Sequence, residues 1–369
     1  MRTAERLRGA LARAPRMSWL ALGAILAVAL GLRVWGIRQG LPFAYNSDEA
    51  DHFVPHAVAM FRDGTLNPHY FANPPGYTYV LHFAFGLWFG GGKAVLHAYQ
   101  LDPAQLYTLA RVIAAVLGTA AVWLLYVTGA RLFGRGVGLL AAALQAVAFL
   151  PVFYAHLALN DAPTLAPLTL SLLGTAGVLR DGRARHHALA GIGLGLACAF
   201  KYTAGIVVVP YLAAVVMQRR EGGAAALVPA LRGLALAAGC ALLAFAIANP
   251  YALLDYHSFR HELSHQSSLS AESQGKLGAP RSGGLVYYLW ALTWGLGWVP
   301  AIAALLGALL VWWRRRALWF ALVPGPLAFL VFMGLQGRYF GRWLMPILPI
   351  LCLLAAYAIA CGAGAVAAR

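Results

Sequence analysis

The 369-residue chain is 61% hydrophobic and only 11% charged, with a mean hydropathy of +0.69. Soluble domains carry roughly 25% charged residues, so this composition excludes a water-soluble globule and requires apolar runs of about 20 residues, the length that crosses a bilayer. A net charge of +16 would suggest nucleic acid in a soluble protein. Here the basic residues sit in short loops, which reads as a positive-inside bias and excludes nucleic acid as a partner.

Arg2, Arg6, Arg8, Arg13 and Arg16 precede an apolar run from Met17 to about Ile37. No A-x-A cleavage site follows, so the run reads as a retained first helix with a cytoplasmic N-terminus. The next strong span, 106–130, ends at Arg131 and Arg135 and therefore runs inward. Residues 38–105 must then begin and end outside. Within them, Tyr77–Phe89 would make about 20 Å of helix, too short for a core of about 30 Å, and is expected to be interfacial. Spans follow at about 137–156 and 162–179, returning to Arg180, Arg183 and Arg185. The stretch 188–217 has basic marks at both ends, so two short helices are expected, with Lys201 at their outward tip. Further spans are expected at 225–248, 285–312, 317–335 (kinked at Pro324-Gly325-Pro326) and 343–365, with a second outer loop at 249–284. The expectation is all-α: one polytopic transmembrane bundle over 1–369, with about ten spanning helices and a cytoplasmic C-terminus. Cys198, Cys240, Cys352 and Cys361 fall in apolar stretches without paired spacing and read as small buried residues.

This topology sends most acids outward: Asp48, Glu49, Asp51, Asp63, Asp102, Asp161, Asp255, Glu262 and Glu272. Only Glu5, Asp181 and Glu221 lie inside, so chemistry that needs carboxylates belongs to the outer face. The densest cluster is Asn46-Ser47-Asp48-Glu49-Ala50-Asp51-His52. A helix over 48–62 would put Asp48, Asp51, His52 and His56 on one face. A carboxylate there could deprotonate a hydroxyl as general base, or Asp48, His52 and His56 could ligate a metal. The same residues also fit a capping box, with Asn46 at N-cap and Glu49 three residues on. Asp161, in His156-Leu157-Ala158-Leu159-Asn160-Asp161-Ala162-Pro163, fits a helix start equally well. Lys201 is a cation flanked by apolar helix. Arg338 and Arg342 flank Tyr339 and either snorkel to head groups or bind a lipid phosphate.

These residues, in this order, resemble the GT-C superfamily of membrane glycosyltransferases, in the branch of protein O-mannosyltransferases and aminoarabinose transferases. Ser47-Asp48-Glu49-Ala50 is similar to the family's Asp-Glu motif in the first outer loop. Asn73-Pro74-Pro75-Gly76-Tyr77 is similar to its Pro-Pro segment, and Leu159-Asn160-Asp161-Ala162-Pro163 to the acidic motif opening its fourth helix. Gly193-Leu194-Gly195 through Lys201 resembles its glycine-rich helix ending in Lys. Arg338-Tyr339 with Pro346 and Pro349 resembles its late Arg-Tyr, Pro-x-x-Pro segment.

The resemblance implies sugar transfer from a polyprenyl-phosphate donor to an acceptor hydroxyl, with inversion, at the extracytoplasmic face of the plasma membrane. Asp48, Glu49 and Asp161 would be catalytic, with Asp48 as base. Lys201, Arg338 and Arg342 would bind the donor phosphate. Asp51, His52, Asn73, Tyr77, His156 and Tyr339 would line the sugar and acceptor pocket. The expected partners are the lipid-linked donor, membrane lipids and a lipid, glycan or protein acceptor. No resident metal or cofactor is assigned, and a divalent ion stays open. Two departures stand out. Asn73 occupies a position where relatives often have Lys, and the chain ends without the soluble domain that many of them carry. The competing expectation is a transporter or a flippase for lipid-linked glycans.

Overall fold

A computed structural model describes residues 2–271 and 283–367, with side chains from residue 18 to 364 except 224. Glu272 therefore lies outside the described residues. The described chain is all-helical, without strands.

The helices run between two chemically distinct ends. Helix α1 (Arg2–Val34) leads to the end that holds the acids. There, α2 (Val54–Asp63), α3 (Gly76–Phe89) and α4 (Gly92–Leu101) form a short-helix layer over residues 38–102. Helix α5 (Pro103–Phe133) starts on an Asp102 cap, whose side chain accepts from Ala104 N, and runs to the basic end at Arg131. The return pass is broken: α6 (Arg135–Val147) and α7 (Phe149–Phe153) meet at a 58° bend.

Helix α8 (Asp161–Asp181) goes back to the basic end, and α9 (Ala184–Phe200) returns antiparallel to it. Lys201 has extended backbone and ends α9. A 3-10 turn, Tyr202–Val207, leads into α10 (Val208–Glu221), which descends to place Gln218 beside Gly182. The break expected at Lys201 is thus present, with one helix on each side of it. Helix α9 can sit between its neighbours because its glycines leave no room for side chains. A Cβ on Gly193 would fall 2.3 Å from Ser171 N of α8. One on Gly195 would fall 2.1 Å from Ala241 O of α11 (Leu227–Ala248).

Helices α12 (Tyr251–Leu254) and α13 (Tyr256–Ala271) cover the acidic end. Two interrupted passes follow. Helix α14 (Gly284–Leu292) joins α15 (Trp298–Arg314) through a π-helical turn, Thr293–Gly297. Helix α16 (Arg316–Leu322) meets α17 (Pro324–Gly334) at the expected proline kink. The last pass opens with a 3-10 turn, Gly341–Ile347, and continues as α18 (Leu348–Ala367).

Among the described residues, seven helices are long and apolar enough to cross a membrane, or eight when the bent α6–α7 pair counts as one span. The other two of the ten expected passes correspond to the Ser18–Val34 part of α1 and to the 17-residue α9. A buried cation serves the bend. Arg33 is fully buried and donates to the carbonyls of Ala146 (3.0 Å) and Gln145 (3.3 Å), which the broken helix leaves free. Unsatisfied carbonyls in a bilayer cost several kcal/mol, so a guanidinium with several donors stabilises the break.

Candidate active site

The acidic motif is built as a wide helical turn. Asn46 Oδ1 accepts from the backbone N of Asp48 (3.1 Å) and of Glu49 (3.3 Å), which starts a π-helical turn over Glu49–Phe53. The expected capping role of Asn46 is thus present, but Glu49 does not complete a capping box. It points away, fully buried, and takes the Arg111 guanidinium through Nε (2.7 Å) and Nη2 (2.8 Å). It also accepts from Ala158 N at 2.7 Å. Arg111 Nη1 in turn donates to the carbonyls of Ile37 (2.8 Å) and Gln39 (3.0 Å). This one buried pair ties the exit of α1, the acidic turn, α5 and the segment before α8. The Glu49 carboxylate is therefore spent on structure and does not line the cavity, contrary to the catalytic expectation for it.

Asp48 points the other way, into a cavity of about 360 Å³. Its carboxylate pairs with Arg342, and His52 Nε2 lies 3.8 Å from it. Asp161, 3% exposed at the start of α8, pairs with Lys201, and Arg342 Nε lies 4.0 Å from its other oxygen. Neighbouring backbone holds these groups in place. Asn160 Nδ2 donates to Phe200 O at 2.5 Å, and Asn249 Nδ2 to Ala199 O at 3.3 Å, so the last carbonyls of α9 are satisfied where the helix stops beside Lys201. The 3-10 turn after Phe340 swings Arg342 inward, where it also lies 5.0 Å over the Phe340 ring. The result is an alternating chain of charges, Lys201–Asp161–Arg342–Asp48, with the His52 ring beside its last member, drawn from four separate parts of the sequence.

The roof of the cavity is α13, through Leu263, Gln266, Ser267 and Ser270. Glu262 fixes this roof to the first loop by accepting from Phe71 N (2.5 Å) and Ala72 N (2.9 Å). Asn67 Nδ2 donates to Asp255 at 2.8 Å and adds a second tie. Asn73 lines the cavity and donates to Tyr70 OH at 2.7 Å. The Tyr70 ring stacks on both His52 (4.9 Å) and His56 (4.7 Å). Burial pushes the Tyr70 hydroxyl up to about 12 and lowers the His56 imidazole from its ordinary value. His56 Nδ1 lies 3.1 Å from Pro68 O. Its ring is thereby committed to packing, and among the described residues no group of three His, Cys, Asp or Glu is arranged to hold a metal.

Several expected site residues lie elsewhere. Arg338 does not line the cavity; Arg342, four residues later, does. Asp51 is exposed outside it. Tyr77 is fully buried, with its hydroxyl on Ala110 O at 2.7 Å. His156 bonds the carbonyls of Val152 (2.9 Å) and Trp35 (3.0 Å). Tyr339 stacks on Tyr287 at 5.7 Å. Lys201, which has no acidic neighbour in sequence, is paired in space with Asp161. Arg111, Gln266, Ser267, Ser270 and Gln336 had no signal of their own in the sequence.

The polytopic helical bundle shares the fold of solved GT-C structures. Residues 106–249 match the family model described as dolichyl-phosphate-mannose-protein mannosyltransferase. The chain superposes on ArnT from Cupriavidus metallidurans bound to undecaprenyl phosphate with a TM-score of 0.66 at 19% identity, covering 93% of this chain and 60% of that one. It also superposes on the oligosaccharyltransferase AglB from Archaeoglobus fulgidus, in complex with an inhibitory peptide and a dolichol-phosphate, with a TM-score of 0.58 at 14% identity. That match covers 94% of this chain and 50% of AglB. The chain thus spans about 60% of the ArnT structure and half of the AglB one. No curated protein sequence matches it.

Proposed function

We propose that the protein is an inverting glycosyltransferase that moves a sugar from a polyprenyl-phosphate donor to an acceptor hydroxyl at the extracytoplasmic face of a plasma membrane. The observation that carries this reading is the cavity itself, where Asp48 and Asp161 face Lys201 and Arg342 beneath α13. Asp48, the more exposed of the two acids, takes the acceptor proton as the hydroxyl oxygen attacks the anomeric carbon. The bond from that carbon to the phosphate oxygen breaks, and the polyprenyl phosphate leaves with the electron pair. Arg342 and Lys201 stabilise the departing charge, a task that suits cations fixed in a water-poor cavity. Leu263, Phe332, Met333 and Trp343 make the apolar part of the wall, and Phe332 is 54% exposed on the bundle surface. This supports lateral entry of a lipid chain between α13 and α17. Asn73, Gln266, Ser267 and Ser270 supply neutral hydrogen-bonding groups for a sugar.

The test is transfer by the purified protein from a panel of polyprenyl-phosphate sugars to hydroxyl acceptors. Turnover that vanishes in Asp48→Asn supports the reading. No transfer from any donor, with lipid-linked glycan moved across vesicles instead, would replace it with the flippase. The proposed face is tested by cysteines placed at Asp63 and Arg183: impermeant reagent outside should label the first alone.

A further inference from the structure

The opposite end of the bundle holds a second cavity, of about 150 Å³, that the proposed reaction does not use. It is lined by Arg131 from the last turn of α5, Arg180 and Asp181 from the last turn of α8, and Arg183, Arg185 and His186 from the start of α9. Four guanidinium groups therefore meet around one carboxylate. That carboxylate is already committed. Asp181 Oδ1 accepts from Arg183 N at 3.2 Å and lies 3.2 Å from His186 Nε2, while Oδ2 lies 3.6 Å from Arg183 Nε. The His186 ring is locked against α8 because Gly177 leaves space for it; a Cβ there would fall 2.3 Å from the ring. Arg131, Arg180 and Arg185 have no carboxylate within ion-pair distance among the described residues. Arg131 reaches only Leu173 O, at 3.4 Å.

The basic run at the close of α15, at this same end, is arranged differently. Arg314, Arg315 and Arg316 go to separate places: Cys361 Sγ, Leu132 O and the Trp312 ring. The first cluster instead converges from three helices on one hollow. Arginine binds phosphate oxygens bidentately, and basic pockets between membrane helices are suited to anionic head groups.

We infer that this cavity is a binding site for a phosphate group, supplied by the head group of an anionic phospholipid at that end of the bundle. The lipid phosphate relieves the repulsion among Arg131, Arg180 and Arg185 and clamps the ends of α5, α8 and α9 together. This inference does not rest on the transferase reading, because no residue of the first cavity takes part.

The experiment uses the full chain in detergent micelles doped with equal amounts of phosphatidylglycerol and phosphatidylcholine of matched acyl chains, with retained lipid counted by native mass spectrometry. Wild type should retain phosphatidylglycerol at least about tenfold over phosphatidylcholine, and Arg131→Gln/Arg185→Gln should lose about tenfold of that preference. Both side chains are exposed, so the variant should unfold at the wild-type temperature without lipid. A second arm adds inorganic phosphate to lipid-free detergent. Protection of the wild type but not the variant, with no phosphatidylglycerol retained, would keep the phosphate site but assign its ligand to solution. Equal retention of the two lipids with no protection by phosphate would overturn the inference. So would undiminished phosphatidylglycerol preference in the double variant.

Discussion

Replacing Glu49 by Gln separates structural from chemical roles in the acidic motif. The carboxylate is fully buried and accepts three hydrogen bonds, two from Arg111 and one from Ala158 N. Gln keeps the shape, but one acceptor oxygen becomes an NH2 donor. That donor must then face either the guanidinium or the Ala158 N–H. Arg111, 3% exposed, is left as a buried cation without its counter-charge. Breaking a buried pair from one side costs about 3–5 kcal/mol, roughly two to four orders of magnitude in a folding equilibrium. Glu49→Gln should therefore unfold much earlier in a detergent denaturation titration. Removing both charges is cheaper than removing one, so Glu49→Gln/Arg111→Met should recover part of the loss. A Glu49→Gln protein as stable as wild type but a hundredfold slower in sugar transfer would refute this reasoning and return Glu49 to the chemistry.

Asp48→Asn keeps an oxygen for Arg342, which also retains Asp161, so it should cost less stability than Glu49→Gln and lower transfer by about 10²–10⁴, the usual effect of losing a positioned base; wild-type turnover in the variant would remove Asp48 from the mechanism. Lys201→Met strands Asp161, which is 3% exposed, with only the Arg342 Nε at 4.0 Å, so it should lose about 3 kcal/mol or more of stability. Adding Asp161→Asn should restore the stability but not the transfer, and restored transfer would show that the pair is purely structural. Acidification should act through His56. Burial holds its folded pKa below the ordinary 6.5, so the neutral form is favoured in the fold. Its contribution is complete above 6.5 and is lost as pH falls through the lower folded value. Unfolding temperatures measured across that range should fall with pH in wild type and fall less in His56→Gln.

The sequence was most readable where a charge interrupts an apolar run. Lys201 marked a break inside thirty apolar residues, and the chain does turn there, because an ammonium cannot sit in the middle of a bilayer without a partner. Asp48, Asp161 and Arg342 were legible as ionised groups in loops, and they meet in the cavity. The pairings among them were not legible. Which acid faces Lys201 depends on the antiparallel packing of α8 and α9, and no local pattern encodes it. Glu49 and Asp48 are adjacent, yet a wide helical turn sends one to Arg111 and the other to Arg342. The α6–α7 bend was invisible as well. Ala148 and its neighbours read as continuous helix, and the group that stabilises the bend, Arg33, lies more than a hundred residues earlier.

The ionised groups of the first cavity all sit where a helix starts, stops or tightens, and the bilayer gives a physical reason. A helix interior satisfies its own backbone, and lipid excludes any backbone that is not satisfied. Polar chemistry inside such a bundle is therefore confined to places where helical hydrogen bonding has already been interrupted and other groups complete it. At the end of α9, Asn160 and Asn249 take the last carbonyls, which frees Lys201 to turn toward Asp161. At the acidic turn, Asn46 takes the N–H groups of Asp48 and Glu49. At the bend of the third pass, Arg33 takes the carbonyls of Gln145 and Ala146, and the chain is then carried through His156 to Asp161. These amides and this buried arginine touch none of the reacting groups in the proposed mechanism, yet each holds open a break at or leading to one of them. Apolar substitution of Asn160 should accordingly disturb the Lys201–Asp161 pair before it disturbs the rest of the bundle.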